Sequence, residues 1–62
     1  MERQEIEYGG YRMVLQEDHP DVGWYIYVFE GDRSIYDTLQ DTKELAIEVV
    51  NEKYGCPKSI WA

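Results

Sequence analysis

Cysteine is almost absent from this chain. The 62 residues hold one, Cys56, so no internal disulfide can form and no thiolate zinc cage can be assembled. Prolines number two, and no apolar run approaches the ~20 residues of a membrane-spanning helix. The opening Met1-Glu-Arg-Gln-Glu has none of the apolar character of a signal peptide. Together with the lone thiol, this points to a cytoplasmic protein. Cations are scarce too: six Lys and Arg stand against 13 Asp and Glu, for a formal charge of −7. Gripping phosphates requires Lys and Arg, so this balance disfavours direct nucleic-acid binding. A chain this short is one domain at most. Domains of ~60 residues bury only about 60% of the surface of the unfolded chain, so the whole core must be used.

Apolar and aromatic residues are abundant. Hydrophobic residues make up 44% and aromatics 15% of the chain, with six Tyr, two Trp and one Phe. Disordered acidic segments are poor in these residue types, so the composition specifies a folded domain. Tyr8-Gly9-Gly10-Tyr11 reads as a two-residue hairpin turn, placing Tyr8 opposite Tyr11, Glu7 opposite Arg12 and Ile6 opposite Met13. Residues 17–23, Glu-Asp-His-Pro-Asp-Val-Gly, form a polar break. Trp24-Tyr25-Ile26-Tyr27-Val28-Phe29 is then the strongest strand signal, and Gly31-Asp32 is a second tight turn. The strands expected are residues 3–8, 11–17, 24–30 and 34–39, the last with Val28 opposite Ile35, Tyr27 opposite Tyr36 and Trp24 opposite Leu39.

Asp41-Thr42-Lys43-Glu44 resembles a capping box with Asp41 at the N-cap, so a helix is expected over residues 42–54. Leu45, Ala46, Val49, Val50 and Tyr54 would share its apolar face, with Ile47 at the margin. Gly55 and Pro57 end it, and residues 55–62 are expected to fold back because Ile60 and Trp61 are apolar. The fold class is therefore α+β: a three- or four-stranded antiparallel β-meander followed by one helix packed on one face, in the order β-β-β-β-α.

Strand alternation assigns the two sides of the sheet. Tyr11, Met13, Leu15, Trp24, Ile26, Val28, Ile35 and Leu39 would meet the helix. Arg12, Val14, Tyr25, Tyr27, Phe29, Tyr36 and Thr38 would lie on the opposite side, which one helix cannot cover. A wet sheet face is normally polar, whereas this one is aromatic. Tyr tolerates half-exposure in strands, so the row is compatible with plain solvent contact. Aromatic patches poor in Lys and Glu are also typical interface cores. Val14, Tyr25, Tyr27, Phe29 and Tyr36 are therefore the candidate partner-binding face. A second candidate surface is an acidic ridge of Asp41, Glu44, Glu48 and Glu52 within an arc of about 80° on the helix. Such rows are commonly just solvated, but Glu placed four before Glu repels. Carboxylates roughly 6 Å apart come near the phosphate spacing of a nucleic-acid strand. The ridge is thus a candidate nucleic-acid mimic that docks a basic partner.

Catalysis is not expected. His19 and Cys56 would sit at opposite ends of the sheet, about 23 Å apart over seven strand residues, too far for a Cys–His pair. Asp18, His19, Asp21 and Asp41 gather at one end, but Asp-His-Pro-Asp is ordinary turn chemistry and lacks the spacing of a calcium loop. No metal and no cofactor are expected. Asp37 poses a puzzle, because strict alternation aims it at the core opposite Ile26, where a bare charge is costly. An edge position or a bulge would resolve this.

The run Asp41-Thr-Lys-Glu-Leu-Ala-Ile-Glu-Val-Val, following strands, faintly resembles the helix entry of HicB-type antitoxin domains. The likeness covers about ten residues. That family's proline-glycine-cysteine turn before the third strand is missing here, as is a DNA-binding extension. The resemblance adds some weight to an antitoxin. Charge, size and surfaces together point to a small non-enzymatic module that binds and inhibits a basic or nucleic-acid-handling protein, as phage inhibitors, immunity proteins and antitoxins do. The alternatives are a homodimer packed through the aromatic face and a small nucleic-acid-binding regulator.

Overall fold

The computed structural model describes residues 2–19 and 22–61. Four antiparallel strands, β1 (Arg3–Tyr8), β2 (Tyr11–Glu17), β3 (Trp24–Glu30) and β4 (Arg33–Gln40), form one open sheet in sequence order. The helix α1 (Lys43–Tyr54) and a short 3₁₀ helix (Lys58–Trp61) follow. No helix among the described residues is long and apolar enough to cross a membrane. Asp21, one of the turn carboxylates considered as a ligand, and Ala62, the end of the tail, lie outside the described residues.

Turn chemistry sets the first hairpin. Gly9 and Gly10 both have positive φ, 59° and 86°, the geometry a two-residue turn needs to match strand twist. The register is the expected one, with Tyr8 opposite Tyr11, Glu7 opposite Arg12 and Ile6 opposite Met13.

The β3–β4 pairing differs from expectation. A bulge interrupts it between Val28 and Phe29: Phe29 pairs with Ser34, but Val28 pairs with Tyr36, leaving Ile35 as the extra residue. Beyond the bulge every β4 residue changes side. Tyr36, expected on the outer face, packs against the core and meets Tyr54 edge-on at 6.4 Å between ring centroids. Thr38 likewise sits opposite the core residue Ile26, and Leu39 turns outward at 41% exposure. Asp37 now stands opposite Tyr27 on the outer side and is exposed, so the buried-charge problem disappears.

Helix α1 also starts one residue later than the spacing suggests. Thr42, not Asp41, is the N-cap, its hydroxyl accepting from the Leu45 N–H at 3.2 Å. The cap ends with the Gly55 N–H on the Asn51 carbonyl and the Cys56 N–H on the Val50 carbonyl. Ala46 and Val50 are fully buried, while Ile47, Val49 and Tyr54 pack at the margin. Leu45, expected on that face, is 42% exposed.

The core is Met13, Leu15, Ile26, Val28, Ala46, Val50, Cys56 and Trp61. Trp61 reaches it because the 3₁₀ turn folds back against β1, where the Gln4 Nε2 donates to the Trp61 carbonyl at 2.9 Å.

Three acids in or beside this packing hold their protons tightly. Burial, then Tyr25, Asp37 and Asp18, raises the Tyr27 phenol. Burial, then Tyr11 and Tyr36, raises Tyr54. Burial pushes up the Cys56 thiol, with Trp61 acting the other way. Each group binds its proton more tightly folded than unfolded. The stability linked to it is intact below the ordinary values, 9.0 for the thiol and 10.0 for the phenols, and is lost as pH rises through the raised folded values. The melting temperature is therefore expected to fall above pH 9.0. A Tm that stays constant well past pH 10.0 contradicts this.

Candidate interaction surfaces

The side chains of β3 that point away from α1 build the first surface. Tyr25, Tyr27 and Phe29 form a ladder, with ring centroids 5.6 Å and 6.5 Å apart and near-parallel planes. Alternation brings the three to one face, and no element among the described residues packs over it. Val14, from β2, lies directly opposite Tyr27 and is only 3% exposed, shielded by its tall neighbours rather than by a second layer. Of the five residues expected on this face, Val14, Tyr25, Tyr27 and Phe29 come together. Tyr36 does not, because of the bulge. Leu39 takes a place on the face that alternation alone had denied it.

Arginines border the ladder on one side. The Arg12 guanidinium sits 4.3 Å from the centre of the Phe29 ring. Glu5 is held between two guanidinium groups, 3.4 Å from Arg3 Nη2 and 3.6 Å from Arg12 Nη1. These pairs are half exposed and contribute little to stability, but they fix both arginines beside the aromatic row. Arg3 escaped the sequence reading. Its signal was the first hairpin register, which puts Arg3 opposite Gln16 and Glu5 opposite Val14. A cavity of about 190 Å³ opens here, lined by Arg3, Arg12, Val14, Gln16, Tyr27 and Phe29. Across the whole face the two arginines meet four carboxylates, Glu5, Glu7, Asp37 and, acting on the Tyr27 phenol, Asp18. A nucleic-acid strand stacked on the ladder would find no surplus cation for its phosphates.

No family model, curated protein or solved structure matches this chain. Its surfaces must speak through their own chemistry.

The second surface is the free side of α1. Asp41, Glu44 and Glu52 are exposed and Glu48 partly so. The described ion pairs are Arg3–Glu5, Arg12–Glu5 and Lys43–Glu2, so none of the four acids is neutralised among the described residues. The basic residues of the helix turn elsewhere: Lys43 Nζ lies 5.5 Å from the Trp24 ring and Lys53 Nζ 4.7 Å from the Tyr36 ring. Both aromatic partners belong to the helix-facing side of the sheet. Leu45 stands bare among the acids.

These two surfaces lie on opposite sides of the molecule, since α1 covers the other face of the sheet. The smallest dimension of the Cα trace is 17 Å. That is about twice the ~8 Å Debye length at physiological salt.

Proposed function

We propose that this protein is a small non-enzymatic binding module that presents the acidic side of α1 to a basic or nucleic-acid-handling protein and blocks it. The observation that carries this reading is the unneutralised row Asp41, Glu44, Glu48 and Glu52, from which Lys43 and Lys53 turn away. A helix selected for stability alone would intersperse lysines at i+4. Exposed Leu45 within the row supplies an apolar contact that charge by itself lacks. The row offers carboxylates at roughly the phosphate interval of a nucleic-acid strand, so a channel or groove built for that strand is the fitting receptor. The faint likeness to an antitoxin helix entry agrees with an inhibitory role.

The reading is tested by immobilising the chain and capturing proteins from a lysate of the source cells at low salt. Captured proteins are expected to be basic, to elute at high salt and to lose nucleic-acid binding when the chain is added back. The double change Glu48→Lys and Glu52→Lys should abolish capture. Equal capture by that variant at low salt sinks the acidic-row reading.

A further inference from the structure

We propose that a second copy of this chain covers the outer face of the sheet, packed about a two-fold axis that runs along β3. This goes beyond the proposed function, since it concerns the side of the molecule turned away from the acidic row.

The two flanks of the ladder are different and complementary. On the β2 side lies the cavity of about 190 Å³, with Arg3 and Arg12 in its lining and the single carboxylate of Glu5 between them, which leaves one positive charge in excess among the three. On the β4 side, Asp37 and Leu39 project, both exposed. One flank is a hollow with positive charge at its rim. The other is a pair of knobs, one anionic and one apolar.

Register decides whether knobs and hollow can meet. Val14, Tyr27 and Asp37 form one cross-strand row, and Gln16, Tyr25 and Leu39 form the next. Strands β2 and β4 lie one spacing, ~4.8 Å, on either side of β3. Rotation by half a turn about an axis along β3 exchanges the flanks and keeps each row at its own level. Asp37 of the second copy then lands above Val14, at the mouth of the cavity and within reach of Arg12. Leu39 of the second copy lands above Gln16, beside Tyr25. Symmetry repeats both contacts, as an isologous interface requires. The other in-plane two-fold, across the strands at Tyr27, sets Asp37 against Asp37. Charge complementarity therefore selects the axis along β3.

Net charge points the same way. Two chains of −7 repel, and association costs less through a face where two arginines offset part of the acidic charge than through the acidic side of α1, where no ion pair is described. In this arrangement the two acidic helices lie on the outsides of the pair. The available footprint is small. Four strands of about seven residues offer roughly 19 by 23 Å per copy, so two footprints give roughly 900 Å² before side-chain relief, below the ~1,200 Å² of standard interfaces. Such a footprint fits a weak dimer that forms only as concentration rises.

Sedimentation equilibrium from low to high micromolar concentration provides the test. The wild-type chain is expected to shift from monomer to dimer, and Tyr27→Glu is expected to remain monomeric. Arg12→Glu and Asp37→Arg should each weaken the dimer about tenfold, and the two together should restore it to within about threefold, because the swapped charges meet again across the axis. The charge variants change no core residue, although Arg12→Glu also removes the cation over Phe29 and the pair with Glu5, so thermal melts verify that they fold even if Tyr27→Glu does not. A chain that stays monomeric at high micromolar concentration overturns the proposal. So does a dimer indifferent to Tyr27→Glu, or a double swap that fails to restore association.

Discussion

Gly23→Ala is expected to destabilise the domain by about 3–5 kcal/mol, combining backbone strain with forced overpacking. Gly23 has φ of 132°, a conformation that L residues with side chains rarely adopt. A methyl group built on it would stand 2.2 Å from the Gln40 carbonyl oxygen, at the end of β4. That neighbour is backbone and cannot rotate away. The residue is also pinned in place, because its carbonyl accepts from the Asp18 N–H at 2.9 Å. Either the loop re-forms or β4 peels from β3. Urea denaturation should show most molecules unfolded in water, whereas Gly31→Ala, where an added methyl meets nothing within 4 Å, should retain a cooperative transition despite the strain of its positive φ. Equal midpoints for Gly23→Ala and the wild type would refute the contact.

Trp61→Ala is the second change expected to unfold the chain. The side chain is 3% exposed within the core cluster. Removing a buried Trp costs about 3–5 kcal/mol. A core in a domain below ~70–80 residues rarely supplies more than roughly 3–5 kcal/mol in total. The two ranges coincide, so this one truncation can consume the whole margin. Trp61→Phe keeps most of the buried ring and is expected to stay folded with a lowered Tm. A readout independent of Trp61 fluorescence is Cys56 itself: fully buried in the native chain, it should resist alkylation there and react freely in Trp61→Ala.

Most of the architecture could be read from local chemistry. Two glycines at Gly9-Gly10 fixed one hairpin register outright, because a two-residue turn leaves no slack. The second hairpin has an equally tight turn, yet its register slipped at Ile35. Period-two alternation has no term for an extra residue, and Ile35 and Tyr36 are both apolar enough to face a core. Asp37 carried the only trace: a carboxylate aimed inward by strict counting was the sign that counting had failed. The same slip removed Tyr36 from the candidate face and delivered Leu39 to it. The helix start shifted by one residue because Asp41 and Thr42 are both good N-caps. Leu45 was misplaced since five apolar residues suggested a wider buried stripe than the sheet has room to cover. Arg3 was overlooked although the expected hairpin already set it opposite Gln16, because the outer face was counted from β2 to β4 and left out the first strand.

The hydrogen bond from Gln4 to the Trp61 carbonyl joins residues 57 apart in sequence. This has a consequence for biosynthesis. Everything through β4 is a meander whose neighbours in space are neighbours in sequence, so its hairpins can form as the chain emerges from the ribosome. The core they serve stays open until Trp61 has cleared the exit tunnel. Until then the nascent domain presents unsealed apolar strands to water or to a chaperone, and completion of the core awaits the turn that carries Trp61.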